Sequence, residues 1–279
     1  MRLADGSLAA EARYVRPLPR VAAMNDYSSV ADLYDLYVTE TGDHSFWSRC
    51  AAQATGPILE LTAGTGRATV ALRAASAEAV VALDLAPAML RRLVARFRDE
   101  PRRVCAVGGD LTTLPFPADR FGLAVIPFNS LGEVIEAPQR AAVMCELRRV
   151  LAPTGRAVVT LHDPTRRRQT LDSEVRRHGP FGAGDRRLEV LVRGRMLSAE
   201  LAESVQTYRV RGAAGQVLDE RRLTIRFVLP DASSLVNMAG TAGLEVQALF
   251  GDYDESPYVA AHSPFIVAVF GRTPGARAA

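Results

Sequence analysis

The spacing of hydrophobic and polar positions changes part-way along the chain, after Pro164. Before it, short apolar runs alternate with longer helix-forming segments, which is typical of parallel strands joined by helices. Because the apolar runs are nearly continuous, these strands should be buried on both faces of a doubly wound sheet. The predicted strands cover 57–62, 79–84, 103–108, 121–127 and 155–161, and the predicted helices cover 66–75, 87–99 and 138–151.

After Pro164 the apolar and polar residues alternate with a period of two, as half-solvated antiparallel strands do. Residues 165–230 are therefore predicted to form an antiparallel insertion that covers one side of the sheet. A helix is expected over 231–243, with Asp231 near its N-cap. The last two strands, 244–250 and 264–271, are joined by a link too short for a helical crossover, so they should pair antiparallel.

These patterns predict an α/β, Rossmann-like, doubly wound seven-stranded sheet whose last two strands form an antiparallel pair. Four regions follow from them. Residues 1–54 would form an N-terminal arm, loose to about residue 24, and a helical cap. Residues 55–164 would form the core, 165–230 the insertion over a substrate site, and 231–279 the final helix and strands.

Composition narrows the class of protein. No run of 18 apolar residues is present, and the N-terminus lacks an apolar signal segment, so we expect a cytoplasmic protein without a membrane contact. Three scattered cysteines indicate neither a disulfide framework nor a zinc site. The net charge is only +3, and the densest arginine run, 165–177, has no interleaved aromatic residues, so no nucleic-acid partner is expected. A monomer or homodimer is expected.

A glycine turn follows the first predicted strand in GPILELTAGTGRATVAL. Gly64 and Gly66 fit the start of a dinucleotide fingerprint, but Thr69 stands where its third glycine would be. The second strand ends in Asp84, whose carboxylate could bind two ribose hydroxyls. Both NAD and S-adenosylmethionine need that contact, so Asp84 does not choose between them. Asp110, just past the third strand, could accept a hydrogen bond from an adenine amino group.

The combined motifs carry a more specific signal. The segments ILELTAGTGR, VVALDLAPAML, GGDLTTLPF, FGLAVIPFNSLGEV and LRRVLAPTG together resemble class I S-adenosylmethionine-dependent methyltransferases. The resemblance covers about residues 27–164 and resumes at 231–272. Within that class the chain is similar to small-molecule N-, C- or O-methyltransferases of bacterial secondary metabolism. It implies S-adenosylmethionine as cofactor and a small acceptor of the amine, indole or phenol type.

The resemblance also implies roles for the residues around the glycine turn. Glu60 would anchor the loop and the methionine end of the cofactor. Gly64, Thr65 and Gly66 would let the backbone approach the cofactor closely. Phe128, at the end of the fourth strand, would lie near the methionine part.

The adenosine end is implied in the same way. Asp84 would bind the ribose, and Leu85 and Met89 would line the adenine pocket. Asp110 and the Leu111 amide would read the adenine edge.

The candidate bases are Glu133 and His162, and Tyr34 joins them in the catalytic set. Many relatives carry His where this chain has Glu133, which leaves the identity of the base open. Glu133 could instead be a carboxylate that a helix N-terminus favours, and His162 could be a structural histidine at the end of a strand. Tyr27 and Tyr34 belong to the segment that closes over the methionine carboxylate and the acceptor in relatives.

Aromatic residues near the N-terminus are candidates for the acceptor site. Tyr37, Phe46 and Trp47 could form a wall around a flat or cationic acceptor, and Asn129 joins them as a candidate contact. Core packing is the alternative for each aromatic residue. No cluster with metal-ligand spacing is present, so no metal is expected.

Three other functions remain alternatives at this point. A nicotinamide-dependent Rossmann oxidoreductase would share Asp84 but needs the glycine that Thr69 replaces. A nucleic-acid-modifying enzyme would need a basic face with aromatic platforms. A non-catalytic cofactor-binding protein would need no base.

Overall fold

The computed structural model describes residues 25–171, 174–182 and 185–274. The predicted loose arm therefore lies outside the described residues. In the described part of the chain, a 3-10 helix, Tyr27–Val30, and two short helices come before the first strand. The elements of the core are α1 (Ala31–Tyr37), α2 (His44–Ala52), β1 (Ile58–Leu61), α3 (Arg67–Ala75), β2 (Val80–Asp84), α4 (Pro87–Arg96), β3 (Val104–Gly108), β4 (Phe121–Ile126), a second 3-10 helix (Ser130–Glu133), α5 (Ala137–Val150), β5 (Leu151–His162) and α6 (Pro164–Gln169).

The second half of the chain contains the insertion and the end of the core. Its elements are β6 (Arg176–Phe181), β7 (Arg187–Met196), β8 (Leu201–Arg211), β9 (Val217–Val228), α7 (Ala232–Thr241), β10 (Leu244–Phe250) and β11 (Phe265–Arg272). The N-cap expected at Asp231 is present, since its side chain accepts from the Ser234 N–H at 2.7 Å.

Seven strands form one sheet in the order β10-β11-β5-β4-β1-β2-β3. β1 pairs parallel with β2 and β4, and β11 pairs antiparallel with both β5 and β10. The predicted fold class is confirmed. β1 lies between β2, which follows it in sequence, and β4, so the carboxyl edge beside β1 is the switch point where open α/β sheets bind ligands.

The insertion is a separate antiparallel sheet in the order β6-β7-β8-β9. The sequence pattern indicated three of these strands but not β6. The apolar face of this sheet buries Leu188, Val190 and Phe227 together with Val30 and Leu33 from the N-terminal helices. The insertion therefore packs against the segment before β1 and holds it beside the carboxyl edge of the main sheet.

The segment Leu151-Ala152-Pro153-Thr154-Gly155 differs from its expected form. Pro153 and Gly155 are typical of a turn, and the predicted strand begins only at residue 155. In the structure α5 ends at Val150 and β5 begins at once, with an irregularity in its pairing to β4 between Phe121 and Leu123. Pro153 and Gly155 therefore lie within β5, and the irregular pairing is confined to the first residues of that strand.

Candidate active site

The glycine turn connects β1 to α3 at the switch point. Three of its residues have positive φ: Thr62 at 58°, Gly64 at 57° and Gly66 at 88°. A Cβ on Gly66 would lie 3.0 Å from a ring atom of Phe97 and 3.2 Å from Leu93, so these side chains would have to shift slightly, and the φ of 88° also disfavours a side chain there. A Cβ on Gly64 would meet open space, but its φ disfavours a side chain.

Asp84 holds this turn from the end of β2. Its Oδ2 accepts from the Gly64 N–H at 2.7 Å, and its Oδ1 accepts from the Ala86 N–H at 2.8 Å. Burial raises the pKa of Asp84, and the two N–H donors oppose that shift. The carboxylate thus faces the loop from the position that a ribose-binding acid requires.

Glu60 and Thr69 explain the missing third glycine. Both side chains are buried, and the Thr69 hydroxyl donates to Glu60 Oε2 at 2.5 Å. Burial raises the pKa of Glu60 to about 8, with the Thr69 bond acting in the opposite direction. The threonine is therefore the polar partner of a buried acid behind the loop, a use that differs from the close helix packing of a dinucleotide fold.

A residue that the sequence analysis missed fixes Thr65. Its hydroxyl donates to Asp35 Oδ1 of α1 at 2.5 Å, and Asp35 forms an ion pair with Arg96 of α4 at 3.1 Å. This contact joins the glycine turn to the N-terminal helix. Asp35 follows Tyr34 directly, but nothing in its local pattern distinguishes it from an exposed helix carboxylate.

The adenine-side residues are only partly exposed to a ligand. Asp110 caps a turn, since its Oδ1 accepts from the backbone and hydroxyl of Thr112, at 2.8 and 2.7 Å. Leu111 is half-buried, and Leu85 is 52% exposed. Met89 is 2% exposed and belongs to the core, so it has little surface with which to line a pocket.

These observations fit S-adenosylmethionine. The turn has space at Gly64, a carboxylate at Asp84 for two hydroxyls, and a second carboxylate at Asp110 for an amino group. Asp84 and Asp110 would hold the adenosine, and Glu60 would remain behind the loop as its support. Thr69, where a third glycine would stand, disfavours a dinucleotide.

Glu133 lies at the end of the second 3-10 helix, beside the N-terminal segment. Its Oε1 accepts from the Tyr27 hydroxyl at 2.8 Å, and its Oε2 accepts from Asn25 Nδ2 at 2.9 Å. Burial raises the pKa of Glu133 to about 7, while both hydrogen bonds oppose the shift and Asp84 adds to it. Tyr27, expected beside the cofactor, is thus bonded to the candidate base.

Tyr34 completes this group. Its ring lies 6.0 Å from that of Tyr27 in an edge-to-face arrangement. Burial raises the pKa of Tyr34 above its ordinary value, and the charge of Glu133 raises it further. The hydroxyl therefore stays protonated beside the carboxylate, where it can donate a hydrogen bond but is a poor base.

His162 has different surroundings from Glu133. Its ring stacks on Phe265 at 5.4 Å and meets Phe128 edge-to-face at 5.2 Å. Burial, followed by the charge of Arg167, lowers the pKa of His162 to about 4. A ring with that pKa is neutral at pH 7 and takes a proton weakly. Phe128 is 49% exposed and has a φ of 61°, so its ring lies open at the end of β4.

Three predicted acceptor contacts lie elsewhere. Phe46 and Trp47 lie on the buried face of α2, where they are 2% and 0% exposed and pack against Tyr253. They therefore offer no surface to an acceptor. Asn129 is buried, and its Oδ1 accepts from the His162 N–H at 3.1 Å, which ties β5 to the loop after β4. For these three residues the structure contradicts the expectation, because their side chains are already used in packing and hydrogen bonding.

Tyr37 is half-buried between α1 and the insertion. Its ring contacts Tyr208 at 5.9 Å, Phe181 at 5.9 Å and His178 at 5.4 Å. It therefore anchors the insertion sheet to the N-terminal helix.

A buried ion pair next to the glycine turn also went unpredicted. Arg67, the first residue of α3, makes a two-pronged contact with Asp43, one bond of which is 2.8 Å. Asp43 Oδ2 also accepts from the Trp47 indole N–H at 2.8 Å. The Arg67 guanidinium lies 5.8 Å from the centre of the Phe128 ring. This network joins α2, the glycine turn and the end of β4.

Within the three described ranges, no group of three or more His, Cys, Asp or Glu residues is placed to hold a metal ion. In the same part of the chain, no helix has the length and apolar character needed to cross a membrane.

Comparison with known families adds to this geometry. A family model described as a methyltransferase domain matches residues 58–155. Residues 58–155 are therefore similar to a methyltransferase domain. The predicted resemblance to class I S-adenosylmethionine-dependent methyltransferases is thereby confirmed. The matched segment begins at β1, and it contains the glycine turn, Asp84, Asp110 and Glu133.

Curated relatives match about half of the chain. The demethylmenaquinone methyltransferase of Mycobacterium sp. (strain KMS) is 41% identical over 146 residues, which are 50% of this chain and 58% of that protein. The chain thus spans little more than half the length of the curated relatives it matches.

Solved structures match more of its length at lower identity. The CcbJ methyltransferase from Streptomyces caelestis is 23% identical, with a TM-score of 0.71 over 89% of this chain and 98% of that one. CalS10, an amino pentose methyltransferase from Micromonospora echinaspora solved with S-adenosylmethionine bound, is 18% identical, with a TM-score of 0.64 over 84% and 93%. These likenesses establish the fold, insertion sheet included, and the cofactor predicted here is the one that CalS10 holds.

Proposed function

We propose that the protein transfers a methyl group from S-adenosylmethionine to the nitrogen of a small amine in bacterial secondary metabolism, with Glu133 as the base. The observation that carries this proposal is the Glu133 carboxylate, half-buried and bonded to Tyr27 and Asn25 beside the cofactor loop. The three cysteines are unpaired, which suits the reducing cytoplasm.

An amine acceptor fits the groups around Glu133. The negative carboxylate of Glu133 attracts a cation, and a protonated amine is the small acceptor that carries one. A neutral phenol or indole would gain less from a carboxylate at this position. Fold alone would not choose the acceptor.

The bound cofactor supplies an electrophilic methyl group and a thioether that leaves without assistance. The amine must present a free lone pair, so its ammonium form has to lose a proton. Glu133 takes that proton, because its pKa of about 7 leaves much of it ionised at neutral pH and still basic enough to accept. The protein otherwise contributes alignment and exclusion of water.

The test compares Glu133→Gln with His162→Asn. Glu133→Gln keeps the shape but loses the base, so turnover should fall by at least about tenfold while cofactor affinity stays near that of the parent. His162→Asn should keep most of the turnover, since the ring is a weak base. Normal turnover in Glu133→Gln, measured by methyl transfer to an amine, would contradict the assignment, and loss only in His162→Asn would give His162 the role instead.

In the parent protein kcat/KM should rise with pH through about 7 as Glu133 ionises, and Glu133→Gln should lack this limb.

A further inference from the structure

Asn25 joins three parts of the molecule through one side chain. Its Nδ2 donates to Glu133 Oε2 at 2.9 Å and to the Arg226 carbonyl at 3.1 Å. Its Oδ1 accepts from the Arg226 N–H at 2.8 Å. Both amide hydrogens and the oxygen are therefore used, and the side chain connects the N-terminal segment to the loop after β4 and to β9.

The Asn25 side chain binds the backbone of β9 as a neighbouring strand would. Among the described residues, β9 is the edge strand of the insertion sheet and pairs only with β8. Arg226 directs its N–H and carbonyl to the side that β8 does not occupy, and the Asn25 amide binds both as a peptide group would. The Arg226 side chain is held as well, because its Nε donates to the buried Glu203 at 3.1 Å. The residue of β9 to which Asn25 is bonded is therefore held by both its backbone and its side chain.

The backbone at Asn25 restricts what can replace it. Its φ is 69°, in the left-handed region that glycine and asparagine tolerate best. A glycine keeps this backbone but removes all three bonds. An aspartate keeps the size and the acceptor for the Arg226 N–H, but it replaces the donor to Glu133 with a negative charge.

We propose that Asn25 is a positioning residue, which fixes the Glu133 carboxylate between the core sheet and the insertion and donates a hydrogen bond to its charged form. The proposal rests on the proposed role of Glu133. In this proposal Asn25 contacts neither the acceptor nor the cofactor, and it acts on the reaction only through Glu133.

The other groups facing Glu133 set the sign of the effect. Tyr27 donates to its second oxygen, Tyr34 is protonated beside it, and the charge of Asp84 opposes its ionisation. The charge of Arg226 is directed toward Glu203. Removing the Asn25 donor therefore leaves burial and Asp84 opposed by Tyr27 alone, so the pKa of Glu133 rises.

The experiment titrates the Glu133 carboxyl carbon by NMR in the full chain, in the parent, Asn25→Gly and Asn25→Asp. Asn25→Gly should raise the pKa of Glu133 by roughly one unit, the scale of a lost hydrogen bond to a charged group. Asn25→Asp should raise it further through like-charge repulsion. The control is Asp26→Asn, which changes the charge of the next residue and keeps an oxygen for the Ser28 N–H.

The result expected is a graded shift in the two Asn25 variants and none in Asp26→Asn, with the acid limb of kcat/KM moving to higher pH by the same amounts. An unchanged pKa of Glu133 in both Asn25 variants, in protein that keeps its fold and binds S-adenosylmethionine, would overturn the proposal. The titration needs no acceptor, so it decides on Asn25 separately from the methyl-transfer assay that decides on the base.

Discussion

Two titratable side chains flank the carboxyl edge of the sheet, and burial moves their pKa values in opposite directions. Burial penalises the charged form, so the pKa of Glu133 rises to about 7 and that of His162 falls to about 4. The same physical cause makes the carboxylate a better base and the imidazole a worse one at neutral pH. Of these two side chains, Glu133 is therefore the better suited to accept a proton at neutral pH.

Asp84 provides a prediction for cofactor binding. Replacing Asp84 with alanine removes the carboxylate proposed to accept from two ribose hydroxyls, so S-adenosylmethionine binding should weaken by about 1–3 kcal/mol, the range for orphaned buried polar partners. Titration calorimetry measures this. Asp99→Ala is the control, because Asp99 is exposed and distant in sequence from the loop. An affinity equal to that of the parent in Asp84→Ala would refute the ribose assignment.

At the scale of elements, the core strands and helices followed from the sequence because each has its own periodicity. β4, for example, is buried at every position, as its continuous apolar run required. The strand β6 could not be recognised, since its residues RRHGPF are mostly exposed and lack alternation. The irregular start of β5 could not either, because Pro153 and Gly155 carry the local signal of a turn while pairing with β4 decides the outcome.

The site divides in the same way. The glycine turn, Asp84 and Asp110 belong to short-range motifs, so the sequence alone could propose them as cofactor contacts. Asn25 is hydrogen-bonded to Glu133, 108 residues further along the chain, and Asp35 to Thr65, 30 residues further. No local sequence pattern could therefore identify these two residues. Phe46 and Trp47 were misassigned because an aromatic pair on a short helix has the same sequence pattern whether it faces a pocket or the core.

The ion pair between α2 and α3 gives a prediction about stability. Asp43 is buried, and Asp43→Ala would leave the Arg67 guanidinium without its partner. The free energy of unfolding should fall by about 3–5 kcal/mol, as when one member of a buried pair is removed. Chemical denaturation measures it.

The control for that experiment is Glu220→Ala, which breaks the exposed cross-strand pair with Arg209. That change should cost no more than about 1 kcal/mol. Equal losses in the two variants would show that the Asp43 contact does not tie α2 to the glycine turn more strongly than a surface pair.

For the whole molecule, two buried carboxyls predict how stability depends on pH. The pKa of Glu60 is about 8 and that of Glu133 about 7, both above the ordinary value of about 4.3 that they would have unfolded. At pH values between the unfolded pKa of about 4.3 and these folded values, the folded chain binds more protons than the unfolded chain. Their stabilising contribution is therefore complete below the unfolded pKa and is lost as the pH rises through 7 to 8.

We expect the free energy of unfolding of the cofactor-free protein to fall between about pH 5 and 8 from these two groups. Glu60→Gln should flatten this dependence, because glutamine can still accept from Thr69 without titrating. Urea denaturation at several pH values measures both proteins. A slope that is the same in Glu60→Gln as in the parent would mean that Glu60 is ionised in the folded state.

In the proposed reaction, Glu133 acts as the base when a methyl group moves from S-adenosylmethionine to the nitrogen of a small amine. The most direct measurement incubates the full chain with isotopically methyl-labelled S-adenosylmethionine and a panel of small amines, phenols and indoles, and locates the label by mass spectrometry. The result expected is label on nitrogen in an amine, strongly reduced in Glu133→Gln and unaffected by EDTA. Label on carbon or oxygen alone, or equal labelling by Glu133→Gln, would contradict the account.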